Sequence, residues 1–464
     1  MLIYNTMTRQ KEEFKPVCER EARIYSCGPT VYNYFHIGNA RPFTLFDVLR
    51  RYLAWRGYKV TFVQNFTDID DKVIRAANAQ GITIEELTDH FIGEYEKDAA
   101  ALNITPPDIA PRATHHIGEI VELIETLVAK GLAYESGDGV YFDTEAFEPY
   151  GKLSGQKLDD REAGVRIQVD ENKKNPMDFA LWKKQKPDEP AWPSPWGDGR
   201  PGWHIECSAM SMKYLGESFD IHCGGVDLVF PHHENEIAQS EGATGKPFAN
   251  YWMHNGFINI DNRKMSKSKG NFFTVRDIAE KFDLEAVRLF LMSAHYRSPI
   301  NFSAELIEQA ATGLQRIYTA RDAWKAWMET TEGAMTAEEA AWAGKELAAI
   351  KEQFIAAMDD DMNTAAAIGV LYDLVREGNI LLTKEPSCAA MRAAYDLLAE
   401  LCGVLGLLYR KEEAMDGEVE ALAQQRFDAR KAKNWAEADR LRGEIGERGY
   451  VVEDKPDGFV LKKK

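Results

Sequence analysis

Apolar and polar positions change rhythm along the chain, and each rhythm predicts an element. Arg23 to Cys27 (RIYSC) is a short apolar run that reads as a buried strand. A turn-rich stretch, GPTVYNYFHIGNARP, follows it. Phe43, Leu45, Phe46, Val48, Leu49, Tyr52 and Leu53 then recur at helical spacing up to Trp55. Lys59 to Gln64 (KVTFVQ) reads as a second strand. Strand, helix and strand in this order predict a parallel unit of an α/β sheet. Helical patterns occupy about 71–80, 84–102 and 115–130.

The stretch from Tyr134 to Gly202 breaks the rhythm. It is rich in turns, Trp, Pro and charge (KQKPDEPAWPSPWGDGRPG) and predicts an insertion of irregular loops. Strand character resumes at Phe219 to Cys223 and helical character at Glu234 to Glu241. From about 303 to 408 the pattern is helical, with few Gly or Pro, and predicts a bundle. The acidic linker KEEAMDGEVE leads to a piece at 417–464 that reads as two helices and a hairpin turning at Asp457-Gly458.

Composition narrows the class. With 45% hydrophobic and 28% charged residues, and aromatics throughout, the chain fits an ordinary globular protein rather than a disordered one. A length of 464 residues calls for several domains. The net charge of −18 argues against a polyanion spread over the whole surface, but a local basic face is enough for a nucleic acid. Such a face exists at 424–464, where eleven Lys and Arg stand against eight Asp and Glu. Arg426, Arg430, Lys431 and Lys433 cluster there beside Trp435, a mixture suited to phosphate contacts and base stacking, or simply to a solvated helix face. The six cysteines are too sparse for a disulfide framework, which points to a reducing compartment and to metal or catalytic uses. No apolar run reaches the ~20 residues of a membrane span, and the N-terminus is charged, so a cytoplasmic protein without membrane association is expected.

Two segments carry nucleotide chemistry. His36-Ile37-Gly38-Asn39 lies between a strand and a helix, where free N–H groups and the positive end of the helix dipole suit a phosphate. Lys264-Met265-Ser266-Lys267-Ser268, with Lys269-Gly270 behind it, is a loop able to fold over a triphosphate and offset charge on leaving pyrophosphate. Gly225 and Asp227 follow the strand at 219–223. There an Asp can accept from ribose hydroxyls or cap the next turn.

Together, in this order, the two segments resemble the paired signatures of class I aminoacyl-tRNA synthetases. The first reads HIGN, with Asn39 where the family has a second His. Asn keeps a hydrogen-bond donor and loses the ability to be charged. The resemblance implies an α/β, Rossmann-like catalytic domain interrupted by an insertion. It implies in-line attack of an amino acid carboxylate on the α-phosphate of ATP, which is bound with Mg2+. His36, Asn39, Lys264 and Lys267 would be the catalytic set. Gly38, Gly225, Asp227, Ser266 and Ser268 would hold ATP.

Metal-binding residue types gather as well. His232 and Glu236 are four apart, on one face of a helical pattern, and Cys27 and Cys207 lie in other segments. Two Cys, one His and one Glu suit zinc. Spacing alone does not select this set, because His233, Glu234, His204, Glu206 and Cys223 are rivals. The strings Cys27-Gly28-Pro29-Thr30, WHIECSAMS and FPHHENEIAQS are similar to segments of the cysteinyl-tRNA synthetases, over roughly residues 1–310 and more weakly beyond. That resemblance implies one zinc on Cys27, Cys207, His232 and Glu236, with L-cysteine, ATP and tRNA(Cys) as partners. It also implies an amino acid pocket lined by Gly28, Thr67 and Trp203, although core packing is the plain alternative for Trp203. Zinc favours a thiolate over a serine hydroxyl, so the metal could read the substrate directly. The insertion is also short for a hydrolytic editing domain. Thr67-Asp68-Ile69-Asp70-Asp71-Lys72 resembles a magnesium site, but reads mainly as a strand end and helix cap.

The implied division is a catalytic domain at 1–114 and 203–255, a connective insertion at 115–202, and a lysine-loop and stem-contact region at 256–310. A helical bundle at 311–408 and an anticodon-binding domain, mixed α/β and small, at 417–464 complete it. A monomer is expected. The related alternative is a cysteine:amino-sugar ligase of the mycothiol type, which shares the activation chemistry and generally lacks the anticodon end. A zinc-stabilised binding module would have no use for the lysine loop. A dinucleotide oxidoreductase would need a G-x-G-x-x-G after the first strand, and none is there.

Overall fold

The computed structural model describes residues 1–156, 172–260, 263–264, 273–410, 417–455 and 458–463. The chain divides into two compact units, Met1–Leu408 and Tyr409–Lys464. β1 (Leu2–Asn5) and β2 (Gln10–Glu13) form an antiparallel N-terminal hairpin. The hydropathy pattern hides it, because β2 (QKEE) is polar on both faces.

β3 (Glu21–Ser26), α1 (Ile37–Trp55) and β4 (Lys59–Gln64) realise the expected strand–helix–strand unit. The two strands pair in parallel from Glu21 with Lys59 to Ser26 with Gln64. α2 (Asp71–Gln80) begins at Asp70, whose carboxylate accepts from the backbone N–H groups of Lys72 and Val73, both at 2.7 Å. Such a cap stabilises a helix by about 1 kcal/mol. Asp68 accepts from Thr114, and Asp71 pairs with Lys183 and Arg200. The acidic run is therefore spent on structure. α3 (Ile84–Ala101) opens on a capping box of Thr83 and Glu86, and α4 (Ile117–Ala129) leads into the insertion.

The insertion is more regular than its composition suggests. β5 (Ala133–Ser136), β6 (Gly139–Phe142), β7 (Phe179–Lys184) and β8 (Gly199–Pro201) form an antiparallel sheet in sequence order. Three of its four strands have only three or four residues, too short to display a period of two, and the Phe142 and Phe179 rings stack at 5.0 Å to bury the join.

α5 (Trp203–Leu215), β9 (Phe219–Gly225), α6 (Glu234–Thr244) and β10 (Ala249–Asn255) complete the main sheet. Its order is β10-β9-β3-β4, and every pairing is parallel. The chain moves outward from β3 to β4 on one side and from β9 to β10 on the other. The crevice at the carboxyl ends of β3 and β9 is thus the place where such sheets bind ligands.

β11 (Ile258–Ile260), β12 (Arg263–Lys264) and β13 (Ile300–Phe302) form a small mixed sheet, with α7 (Val275–Ala279) and α8 (Leu284–Leu291) between β12 and β13. α9 (Ala304–Thr330), α10 (Ala337–Trp342), α11 (Ala348–Asp359), α12 (Thr364–Leu382) and α13 (Cys388–Leu405) build the expected helical layer. One apolar cluster runs from the sheet residues Ile24 and Ile221 to Leu371 and Leu398 of the bundle. Within the second unit, α14 (Gly417–Lys431), α15 (Trp435–Glu447), β14 (Tyr450–Lys455) and β15 (Gly458–Lys463) close on Val419, Ala423, Ile445 and Val452. Asp457 of the expected turn lies outside the described residues. Among the described residues no helix is long and apolar enough to cross a membrane.

Candidate active site

The carboxyl ends of β3, β4, β9 and β10 open into a cavity of about 410 Å³. Cys27, Gly28, His36, Gly38, Asn39, Thr67, Trp203, Cys207, Gly225, Asp227 and His232 all line it. Chain positions more than 200 residues apart thus meet on one surface, and Glu236 lies just behind it. Trp203 is 43% exposed and stacks on the His232 ring, with centroids 4.3 Å apart, so it is a wall of the cavity and not core packing.

The sulfur of Cys27 lies 3.9 Å from that of Cys207 and 3.5 Å from Glu236 Oε1. His232 Nε2 is 3.1 Å from the same Oε1. These four donors are buried and lie within 4.8 Å of one another. A second set, Cys27, His222, His233 and Glu236, meets the same limit and shares two members with the first. His233 Nε2 stands 3.5 Å from Cys27 Sγ, so the sets overlap in space and differ in which members reach the cavity. Cys207 and His232 line the cavity, whereas His233 hydrogen-bonds through Nδ1 to His254 Nε2 at 2.8 Å, and His254 bonds on to Thr6. The other rivals have separate work. Glu234 accepts backbone N–H groups of Gly151 and Ser154, His204 sits behind His232 at 2.9 Å, and Cys223 donates to the Tyr25 carbonyl. Glu206 is fully buried and belongs to neither set.

The four donors are tightly coupled in charge. Burial pushes the Glu236 carboxyl up, but His222 and His232 outweigh it and hold it down at about 2. Burial pulls the His232 imidazole down, and the Glu236 carboxylate and Cys207 overcome this to raise it to about 10. The Cys27 thiol, donating to Cys207, lowers the latter to about 6 against burial, while burial keeps Cys27 itself protonated. Burial and neighbouring imidazoles hold His233 and His204 well below the usual histidine value. Two sulfurs, one imidazole and one carboxylate in a buried cluster are a donor set that zinc accepts.

The nucleotide side is built from turns. His36 caps α1 in extended conformation, and its carbonyl accepts from the N–H groups of Asn39 and Ala40. A side chain at Gly225 would collide with the Asp227 carboxylate, so glycine lets that group fold back over the end of β9. Met265 to Asn271 lie outside the described residues, and with them Ser266, Lys267 and Ser268. For Lys264 only the backbone is described. The flanks are fixed: Lys264 pairs with Asn259, and Ile37 N–H donates to Phe273 O while Val275 N–H donates to Phe35 O. The exit of the lysine loop is therefore stitched to the start of the HIGN helix.

Several contributors escape sequence reasoning. Asn65, Lys72, Asn255 and Phe257 also line the cavity. Arg41 is fully buried and donates to the carbonyls of Gly256, Phe257 and Ser298, which pins the cavity wall after β10. No motif marks them, since their roles depend on which turns meet. In the second unit, Arg426 and Arg430 both pair with Asp454, so two of the clustered cations are engaged internally. Trp435 is 58% exposed.

A family model for the class I (C) tRNA synthetase catalytic domain matches residues 13–312. A DALR domain model matches 353–409, and a model of the cysteinyl-tRNA ligase anticodon binding domain matches 412–459. A cysteine–tRNA ligase from Brevibacillus brevis is 53% identical over 464 residues, which is 100% of this chain and 99% of the relative. Solved structures with the same fold include Mycobacterium tuberculosis methionyl-tRNA synthetase in complex with methionyl-adenylate. It has a TM-score of 0.60 and 17% identity, and the match covers 83% of this chain and 89% of that one. The ternary complex of Agrobacterium radiobacter K84 LeuRS with tRNA and LeuAMS has a TM-score of 0.62 and 12% identity, with 85% of each chain covered.

Proposed function

The chain belongs to the cysteine–tRNA ligases of the class I synthetase family, and from that membership we propose how its residues divide the reaction. The enzyme joins L-cysteine to ATP as cysteinyl-adenylate, releasing pyrophosphate, and then transfers cysteine to the 3′ end of tRNA(Cys). The anticodon-binding match at 412–459 favours tRNA over an amino sugar as acceptor.

The observation that carries the site reading is the convergence of Cys27, Cys207, His232 and Glu236 beside the HIGN helix and Asp227. Cys27, Cys207, His232 and Glu236 hold one zinc. The first set is preferred to the one with His222 and His233 because neither of those two histidines lines the cavity, whereas Cys207 and His232 do. Bound there, zinc supplies a soft Lewis acid that takes a thiolate and leaves a serine hydroxyl protonated. Such selection exceeds the ~10–200-fold that pocket shape yields for so small a difference.

Gly28, Thr67 and Trp203 orient cysteine so that its carboxylate faces the α-phosphate. The carboxylate oxygen attacks phosphorus in line as the bond to pyrophosphate breaks, and no general base is needed. His36, Asn39 and the N-terminus of α1 hold the phosphates, with Gly38 allowing close approach. Gly225 and Asp227 take the ribose hydroxyls. Lys264, Lys267, Ser266 and Ser268 offset charge on the leaving pyrophosphate, which departs with Mg2+. A terminal hydroxyl of tRNA then attacks the carbonyl carbon and AMP leaves.

In this reading residues 1–114 and 203–255 are the catalytic domain, 115–202 the connective insertion and 256–310 the lysine-loop and stem-contact region. The helical bundle is 311–408, and 417–464 reads the anticodon. A single chain acting as a monomer suffices, and the cytoplasm is the compartment expected. Pyrophosphate exchange into ATP, one amino acid at a time, followed by charging of total tRNA, tests the reading. Cysteine-dependent exchange with charged tRNA supports it, and exchange driven equally by serine overturns the thiol-reading site.

A further inference from the structure

Asn65 follows β4 directly, is 1% exposed, and still lines the cavity. The parallel ladder of β3 and β4 stops at Ser26 and Gln64 and resumes where Thr67 N–H donates to Pro29 O and Val31 N–H donates to Thr67 O. The Asn65 side chain bridges the interval. Its Oδ1 accepts from Gly28 N–H at 2.9 Å, and its Nδ2 donates to Thr67 Oγ1 at 3.4 Å. Cys207 Sγ stands 3.8 Å from the same Oδ1. Glycine is required at 28, because a Cβ there would collide with the Asn65 carbonyl oxygen. One buried amide therefore touches a strand end, a hydroxyl and a sulfur that all belong to the amino acid side of the cavity. Among the described residues it has no hydrogen bond to His36, Asn39 or Asp227.

We propose that Asn65 is a positioning residue for cysteine: it fixes Gly28 and the Thr67 hydroxyl against the amino acid and plays no part in holding ATP. The proposal rests on the reading of this cavity as the cysteine site. Fixing a hydroxyl and a strand end within a few tenths of an ångström matters because a shift of ~1 Å at a reacting centre costs on the order of 100-fold in rate. Asparagine suits the task, with an acceptor for the backbone N–H and a donor for the hydroxyl, and no charge beside the sulfurs.

The test is made on full-length, zinc-loaded enzyme. Pyrophosphate exchange is measured with cysteine and ATP varied separately for N65A and N65D, alongside zinc content and Tm. N65A is expected to raise KM for cysteine about tenfold or more while KM for ATP stays within about twofold and zinc stays stoichiometric, as loss of one buried hydrogen-bond partner implies. N65D keeps the acceptor for Gly28 but sets a charge beside the Cys207 sulfur, so it too is expected to raise KM for cysteine while sparing KM for ATP. An unchanged KM for cysteine, a joint rise for both substrates, or loss of zinc from N65A would overturn the proposal. Should N65A be too unstable to assay, N65D alone decides by the same split between substrates. A normal parent enzyme with silent variants overturns the role of Asn65 alone. A parent without cysteine-dependent exchange overturns the site assignment and this role together.

Discussion

The sulfur of Cys27 stands 3.9 Å from that of Cys207, 180 residues later in the chain. A residue just past a central strand and one within a helix that follows the insertion thus meet in one cluster of donors. The insertion must leave and return without disturbing that meeting. Its own sheet achieves this, and Arg200 at its last strand pairs with Asp71 at the start of α2.

Trp203→Ala is expected to raise KM for cysteine about tenfold, the order of one lost aromatic stacking contact. The ring is part-exposed and stacked on His232, so its removal opens the cavity without hollowing a core. Exchange kinetics with varied cysteine, and a Tm close to that of the parent, check this.

Lys267→Ala is expected to lower the rate of adenylate formation by about 100- to 1,000-fold with a much smaller change in ATP affinity, as for other donors that act on charge developing in the transition state. Single-turnover kinetics separate the two quantities. Equal losses in both would assign the lysine to ground-state binding.

Asp47→Asn tests the scaffold. Asp47 pairs with Arg288 at 2.7 Å, and both are buried. Burial pushes the Asp47 carboxyl up, but Arg288 and Arg51 hold it below the ordinary carboxylate value. Breaking such a pair costs about 3–5 kcal/mol. A depressed carboxyl adds stability above its unfolded value and loses it as pH falls towards the folded value. The Tm gap between parent and variant should hold from about pH 8 to about pH 5 and narrow only below about pH 4.

The anticodon end is tested by Trp435→Ala combined with Lys433→Ala. Charging is expected to need at least about tenfold more tRNA, since one base stack is worth about 1–3 kcal/mol. Pyrophosphate exchange should stay unchanged, because the residues proposed for amino acid activation all lie in the first unit. A parallel loss of exchange would mean that the substitutions damage folding.

Much of this site is legible in the chain because its chemistry sits in continuous strings. HIGN fills one turn, and FPHHENEIAQS carries two candidate metal donors, His232 and Glu236, four apart. What the strings hide is orientation. Val229–His233 makes an irregular turn, kinked at Phe230, before α6; His232 and His233 both turn Nε2 towards Glu236 Oε1, and only the backbone tells which of them lines the cavity. Asn65 and Arg41 are invisible for the same reason, since each serves carbonyls or N–H groups brought near by the fold. The sheet of the insertion is missed because its strands are short, and the β1–β2 hairpin because its second strand is polar. The bundle is legible because long helices repeat their apolar stripe many times.

Zinc content per chain, measured by elemental analysis for the parent, Cys207→Ser, His232→Ala and His233→Ala, decides which donors hold the metal. One zinc in the parent and in His233→Ala, with the metal lost from Cys207→Ser and His232→Ala, is the predicted result. Zinc retained by Cys207→Ser and lost from His233→Ala would move the metal to the inner set of Cys27, His222, His233 and Glu236, and would contradict a cavity in which the metal reads the substrate.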